Sequence, residues 1–249
     1  MFMPDPPASW HSPDLAAKLL ENVRGTIPLS IEQIDMMLRL LTAARGARLE
    51  NFLDLGCGHG VLSAAILNEF PAARGCLVAH SEAALAAARL QLHAHAGRVE
   101  FILADQAAPG WMAALADTRP FDAVVSGLAA PPSPADHTQA LFAEIFQLLK
   151  PAGLFVNIEH VASATRWTES VCDDYMIDAI FGRELRAAAG HSRAEIARDY
   201  FARATREAGA PAPLEVQCDW LRAIGFENVE CFLKVQELAV FGGQRPSGK

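Results

Sequence analysis

From Asn51 onward, five short apolar runs alternate with stretches of helical spacing, and no other feature of the chain restricts its possible folds so strongly. The runs are "NFLDL", "GCLVA", "VEFILA", "FDAVVSG" and "GLFVNIEH". They are close to continuously apolar, as strands are when a parallel sheet buries them on both faces and helices make the right-handed crossovers. Upstream, Ile31, Ile34, Met37, Leu38 and Leu41 recur at helical spacing and predict a helix leaning on the sheet, with Ser30 as its N-cap. Downstream, "PLEVQCDWLRAIGF" predicts a helix stopped by Gly225. The last two runs, "NVECFLKV" and "QELAVFGG", lie too close together for a crossover helix and must pair antiparallel. The expected fold class is therefore α/β, a seven-stranded, mostly parallel sheet with an antiparallel C-terminal hairpin and helices on both faces.

With 249 residues, 51% of them hydrophobic and 20% charged, the chain can bury one sizeable core. Residues 1–14, rich in proline and acid, are expected to form a flexible tail, and residues 15–249 a single domain. Within it, a mixed aromatic and charged helical insertion at about 162–213 is expected to cover the carboxyl ends of the strands, where ligands of such sheets bind. A formal charge of −8 and the lack of any Lys/Arg run argue against nucleic-acid or anionic-membrane partners, since both require a basic patch that displaces counterions. A small-molecule partner is expected instead. The five cysteines, Cys57, Cys76, Cys172, Cys218 and Cys231, are odd in number and never form a CxxC pair. Neither a disulfide framework nor a zinc site is expected, and no metal; reduced thiols fit a cytoplasmic protein, as does the lack of a signal sequence or an apolar run of membrane-spanning length.

Between the first strand and its helix stands "DLGCGHG", a turn with three glycines in five residues. Glycine tolerates unusual backbone angles and leaves no Cβ in the way of a ligand. A phosphate-binding GxxxxGK[ST] loop is excluded because there is no lysine, and a dinucleotide GxGxxG loop is disfavoured because the third glycine falls one residue early. Asp54, Gly56, Gly58 and Gly60 resemble the DxGxGxG motif of the class I S-adenosylmethionine (SAM) dependent methyltransferases, and the resemblance extends from about Arg24 to the C-terminal hairpin, strand count included.

This resemblance implies a Rossmann-like fold, SAM as cofactor, and a set of contacts. Asp54, Gly56, Cys57 and Gly58 would line the methionine and ribose part. Asp105, with Gln106 beside it, would hydrogen-bond the adenine amino group; a helix N-cap is the other reading of Asp105. Ser126, Gly127 and Leu128 would lie beside the transferable methyl group. Arg24 would reach the methionyl carboxylate, or be an ordinary surface arginine.

The chain also departs from the family pattern. Relatives carry an acid at the end of the second strand, often as "DxS", to hold both ribose hydroxyls; aligned on Ser81, this chain has Ala79. Each charge-assisted hydrogen bond of that kind is worth roughly 1.5–3 kcal/mol. His80 or Glu82 would have to substitute, although Ser81 and Glu82 also read as an N-cap and a first-turn acid. After the fourth strand, where relatives often place a histidine pair, residues 128–134 offer only Ser133 for proton exchange. The catalytic candidates are thus Glu159 and His160, at the carboxyl end of the fifth strand, with His160 as base or as a brace of the following loop. His137 and His191 are weaker candidates. Trp167, Tyr175, Phe181 and Tyr200 would shape an apolar pocket or form the insertion's own core, and Trp111 would flank the adenine or merely pack. The function expected is in-line methyl transfer from SAM to a small molecule. Two alternatives stay open: a catalytically idle SAM-fold protein with a binding or regulatory role, and a SAM-using enzyme that catalyses another reaction.

Overall fold

The computed structural model describes residues 29–118, 120–127, 135–186, 190–202 and 212–248. Helix α1 (Ser30–Arg45) precedes β1 (Asn51–Leu55), α2 (Val61–Glu69), β2 (Arg74–Ala79), α3 (Glu82–Gln91) and β3 (Val99–Leu103). There follow β4 (Phe121–Gly127), α4 (Ala135–Leu148), β5 (Leu149–His160), α5 (Arg166–Arg186), α6 (Arg193–Phe201), α7 (Leu214–Ile224), β6 (Glu227–Val235) and β7 (Leu238–Gln244). Every apolar run named from the sequence is a strand.

The seven strands form one sheet in the order β3-β2-β1-β4-β5-β7-β6. β1 to β5 are mutually parallel, whereas β7 runs antiparallel to both β5 and β6. After β1 the chain builds outward through β2 and β3, then returns to the other side of β1 with β4. The order therefore reverses between β1 and β4, and a crevice opens at their carboxyl ends.

Each face of the sheet carries its own apolar layer. On one, Ile34, Met37 and Leu41 of α1 and Leu62 and Ile66 of α2 pack with Phe52 and Leu77. On the other, Phe142 and Ile145 of α4 and Leu221 of α7 pack with Leu53, Phe155 and Phe241. α1 starts one residue earlier than expected. Leu29 occupies the N-cap position in the left-handed region (φ 53°) and no side chain caps the helix; Ser30 is itself helical and buried.

The amino edge of the sheet is fastened by Asp122 at the start of β4. Its buried carboxylate accepts from the backbone N–H groups of Glu50 and Asn51, both at 3.0 Å, and faces Lys150 at 3.1 Å and Arg45. Burial by itself would push this carboxyl up, but those two N–H groups, Lys150 and Arg45 outweigh it and hold it below the usual carboxylate range. At the far edge, β6 pairs with β7 through two register shifts, between Glu227 and Glu230 and between Cys231 and Leu233. Among the described residues no helix is long and apolar enough to cross a membrane.

Candidate active site

The glycine turn lies in the crevice between β1 and α2, and its three glycines all adopt left-handed angles: φ 69° at Gly56, 50° at Gly58 and 75° at Gly60. Hydrogen bonds hold the turn in place. Cys57 N–H donates to the Val78 carbonyl at 2.9 Å, tying it to β2, and Gly60 N–H donates to the Cys57 carbonyl at 2.7 Å. Below it, Asp54 is only 1% exposed and accepts from the Ser63 hydroxyl at 2.6 Å, which puts a carboxylate beside the N-terminus of α2. Asp54 thus braces the turn from beneath.

The glycines differ in what a side chain would meet. A Cβ on Gly60 would lie 3.0 Å from Leu92 Cδ1 and 3.4 Å from Ala88 Cβ, so this glycine is needed for packing against α3. A Cβ on Gly58 would meet nothing within 4 Å. The turn consequently presents main chain without a Cβ at Gly58, as a cradle for a ligand requires, and His59 beside it is exposed. Cys57 takes part through its backbone, because burial first and the Asp54 charge second push its thiol well above the usual range.

Around this cradle, Ala79 ends β2 and is buried; its carbonyl accepts from Ala104 N–H at 3.0 Å, which brings the end of β3 alongside. His80 is exposed at the rim. Ser81 occupies the N-cap position of α3 but makes no side-chain cap, and Glu82 pairs with Arg89 at 2.6 Å. Asp105 Oδ1 accepts from Ala107 N–H at 2.9 Å, closing a turn rather than capping a helix, with Gln106 next to it. Ser126 and Asn157 are register partners on β4 and β5 and both are buried, which adds a second polar side chain beside Ser126 that the sequence did not single out; Gly127 closes β4. Arg24 and residues 128–134 lie outside the described residues.

Of the two readings of Trp111, the packing one holds. Trp111 is buried against the α4 side of the sheet, and its Nε1–H donates to Glu144 Oε2 at 2.7 Å. Trp167 and Tyr175 are exposed, 75% and 40%, and so form no core of the α5 region. Tyr200 donates to Asp173 Oδ1 at 3.1 Å and joins α6 to α5. His191 pairs with Glu184 at 2.6 Å. His137 stands in the first turn of α4.

His160 ends β5, at the carboxyl edge of the parallel strands. Its backbone N–H donates to Glu159 Oε1 at 2.9 Å, and its ring Nε2 stands 3.0 Å from Glu237 Oε2. Glu237 was missed in the sequence. The only available signal was an acid in a two-residue hairpin turn, a position that ordinarily carries Asn-Gly. Among the described residues no cluster of His, Cys, Asp and Glu is placed to hold a metal ion.

Residues 52–153 match a family model described as a methyltransferase domain. No curated protein matches the chain. Among solved structures, the fold is similar to an O-methyltransferase family protein from Burkholderia thailandensis (TM-score 0.59, 20% identity), covering 94% of this chain and 63% of that one. It is also similar to an O-methyltransferase family 2 protein from Planctomyces limnophilus in complex with apigenin (TM-score 0.60, 15% identity), covering 93% of this chain and 61% of that one. A third likeness is to PigF solved with SAH (TM-score 0.56, 15% identity), covering 93% of this chain and 66% of that one. The chain thus spans about three fifths of the length of the first structures it matches. The matched segment runs from β1 into β5 and contains the glycine turn, so over that part the chain is similar to a methyltransferase domain, and its fold is similar to those of the solved O-methyltransferase family structures.

Proposed function

We propose that the chain binds SAM against the glycine turn and directs its methyl group to a hydroxyl of a small molecule. The observation that carries this reading is the contrast between Gly60, whose missing Cβ is needed for packing, and Gly58, whose missing Cβ opens onto free space. The cradle fits an adenosyl ligand: Gly56, Cys57 and Gly58 offer main chain to its methionine and ribose part. Asp105 and Gln106 are proposed for the adenine, and Ser126 and Gly127 for the floor below the methyl group. His80 is the polar side chain left at the ribose edge, since Ala79 has no polar group and Glu82 is engaged with Arg89. Arg24 is proposed for the methionyl carboxylate.

When bound, SAM supplies a methyl group already activated on a sulfonium, so the protein's task is to align the acceptor, exclude water and take up a proton. His160, with Glu159 holding its backbone N–H, is proposed to take that proton at the carboxyl end of β5. Support for an oxygen acceptor and a small-molecule substrate comes from the O-methyltransferase names of similar structures and from the apigenin bound to one of them. The helices α5 and α6, inserted between β5 and α7, are proposed to cover the substrate.

A second reading draws on Ala79. Without a ribose acid, the same cradle would serve a protein that binds SAM weakly and regulates a partner, or an enzyme that uses SAM for another reaction. Calorimetric titration with SAM and S-adenosylhomocysteine, followed by assay of S-adenosylhomocysteine release with a panel of phenols, separates the three. Micromolar binding with release is expected. Binding without release moves the assignment to the second reading, and no binding at millimolar SAM overturns the cofactor site altogether.

A further inference from the structure

The β6–β7 turn is built in an unusual way. It has two central residues, Gln236 and Glu237, where hairpins of this length favour Asn-Gly. Gln236 takes a left-handed angle (φ 55°), which costs a residue with a Cβ on the order of 1 kcal/mol or more. Glu237, in a turn where an acid would normally be solvated, is 7% exposed. Because β7 runs antiparallel to β5 and pairs Leu238 with His160, this turn lies at the carboxyl edge of the parallel strands, the ligand side.

Both turn side chains are used. Gln236 Oε1 accepts from the Cys172 thiol at 3.1 Å and so fastens α5 to the turn. The Glu237 carboxylate faces His160 Nε2 at 3.0 Å and also accepts from the hydroxyl and N–H of Ser163, while its own carbonyl accepts from Val161 N–H at 2.7 Å. Lys234 of β6, Asp173 of α5 and Glu159 of β5 also bring charge to this corner. Burial pushes the Glu237 carboxyl up, but the donors from His160 and Ser163 outweigh it and keep the group below its ordinary value, ionised at neutral pH. An ionised carboxylate only accepts hydrogen bonds. The nitrogen facing it must therefore carry hydrogen, and in a neutral imidazole the other nitrogen then keeps the lone pair.

We propose that Glu237 is a positioning residue, holding His160 with hydrogen on Nε2 and the lone pair on Nδ1, so that Nδ1 is the base for an acceptor bearing a hydroxyl. This rests on the methyl-transfer reading above. In the step it serves, the acceptor oxygen forms a bond to the methyl carbon as that carbon's bond to sulfur breaks, with the electron pair left on sulfur. The oxygen's proton passes to His160 Nδ1, and the imidazolium so formed is paired with the Glu237 carboxylate. Charge balances: the sulfonium loses its positive charge and the imidazole gains one. An acceptor whose nucleophile has no proton to lose, such as a thioether or a tertiary amine, would gain nothing from this arrangement, so the substrate class assigned is hydroxyl compounds of the phenol type.

The test uses the full chain. In protein labelled with 15N at histidine, long-range proton–nitrogen correlations report which ring nitrogen of His160 carries hydrogen, with no acceptor needed. Wild type is expected to show the Nε2–H tautomer; Glu237→Gln, whose amide oxygen still accepts, is expected to keep it, and Glu237→Ala to give a mixture. In parallel, S-adenosylhomocysteine release from SAM and the phenol panel is expected to fall roughly ten- to hundred-fold in kcat for Glu237→Gln, with SAM affinity unchanged within about two-fold. Glu237→Asp is expected to recover part of the rate. An Nδ1–H tautomer in wild type, a tautomer indifferent to Glu237→Ala, or a Glu237→Gln enzyme as fast as wild type would each overturn the proposal. Failure of the underlying reading looks different: wild type would then bind no SAM at all.

Discussion

Gly58 and Gly60 share a backbone conformation but differ in surroundings, so replacing each by alanine isolates what the glycine turn is for. The left-handed angle itself costs alanine about 1–2 kcal/mol at either position. At Gly60 the new methyl group also presses on Leu92 Cδ1 at 3.0 Å, the far end of a flexible side chain that can yield by a few tenths of an ångström. This adds about 1 kcal/mol, the low end for overpacking. Gly58→Ala meets no neighbour and adds nothing. At this chain length 1 kcal/mol moves Tm by about 2–4 °C, so Gly58→Ala should lose about 2–8 °C and Gly60→Ala about 4–12 °C. Cofactor binding should rank the other way. The Gly58→Ala methyl group enters the open cradle and should weaken SAM at least about ten-fold, while Gly60→Ala, measured well below its Tm, should bind SAM within about three-fold of wild type. Thermal unfolding and calorimetric titration read the two quantities independently. If Gly58→Ala binds SAM as wild type does while Gly60→Ala loses it, the ligand does not lie against Gly58 and the reasoning fails.

Three further outcomes are expected. Ala79→Asp places a carboxylate at a buried position, so it should lower Tm without ligand, yet bind SAM about ten-fold more tightly through the ribose hydroxyls; weaker binding would show that the end of β2 does not face the ribose. Asp122→Asn should cost about 3 kcal/mol at neutral pH, because Arg45 and Lys150 lose their buried partner. The Asp122 carboxyl is held below its unfolded value near 3.9, so its contribution is fully present above about pH 4 and disappears as pH falls through the depressed folded value; acid titration of stability should be shallower in the variant, and parallel curves would contradict this. Burial pushes Cys76 up to about 12 and Cys218 up to about 11, so native protein at pH 8 should react slowly with thiol reagents, half-buried Cys231 first, and all five thiols should react fast in denaturant.

The strands were legible because their residues pay little regard to the rest of the chain: a run such as "FDAVVSG" is apolar enough to be buried wherever the sheet puts it. The hairpin could be read from spacing alone, and the glycine turn from its lost side chains. The start of α1 was misplaced by one residue because Ser30 has the chemistry of a cap but is buried within the helix. What escaped were polar contacts between distant segments. His160 and Glu237 are 77 residues apart, as are Arg45 and Asp122, and only the completed strand order brings each pair together. No local pattern distinguishes such an acid from a solvated one. Trp111 shows the converse: its sequence left open whether it flanks the adenine or packs, and a glutamate 33 residues away that satisfies its N–H decides for packing.

The far margin of the sheet has its own consequence. A flat outermost strand offers unpaired amides to any extended chain that passes, but β6 is kinked twice by its register shifts and carries Glu227, Glu230 and Lys234 along its length. An identical molecule approaching that margin would meet a broken ladder and charged side chains, so concentrated solutions should resist fibril growth by edge-to-edge zippering.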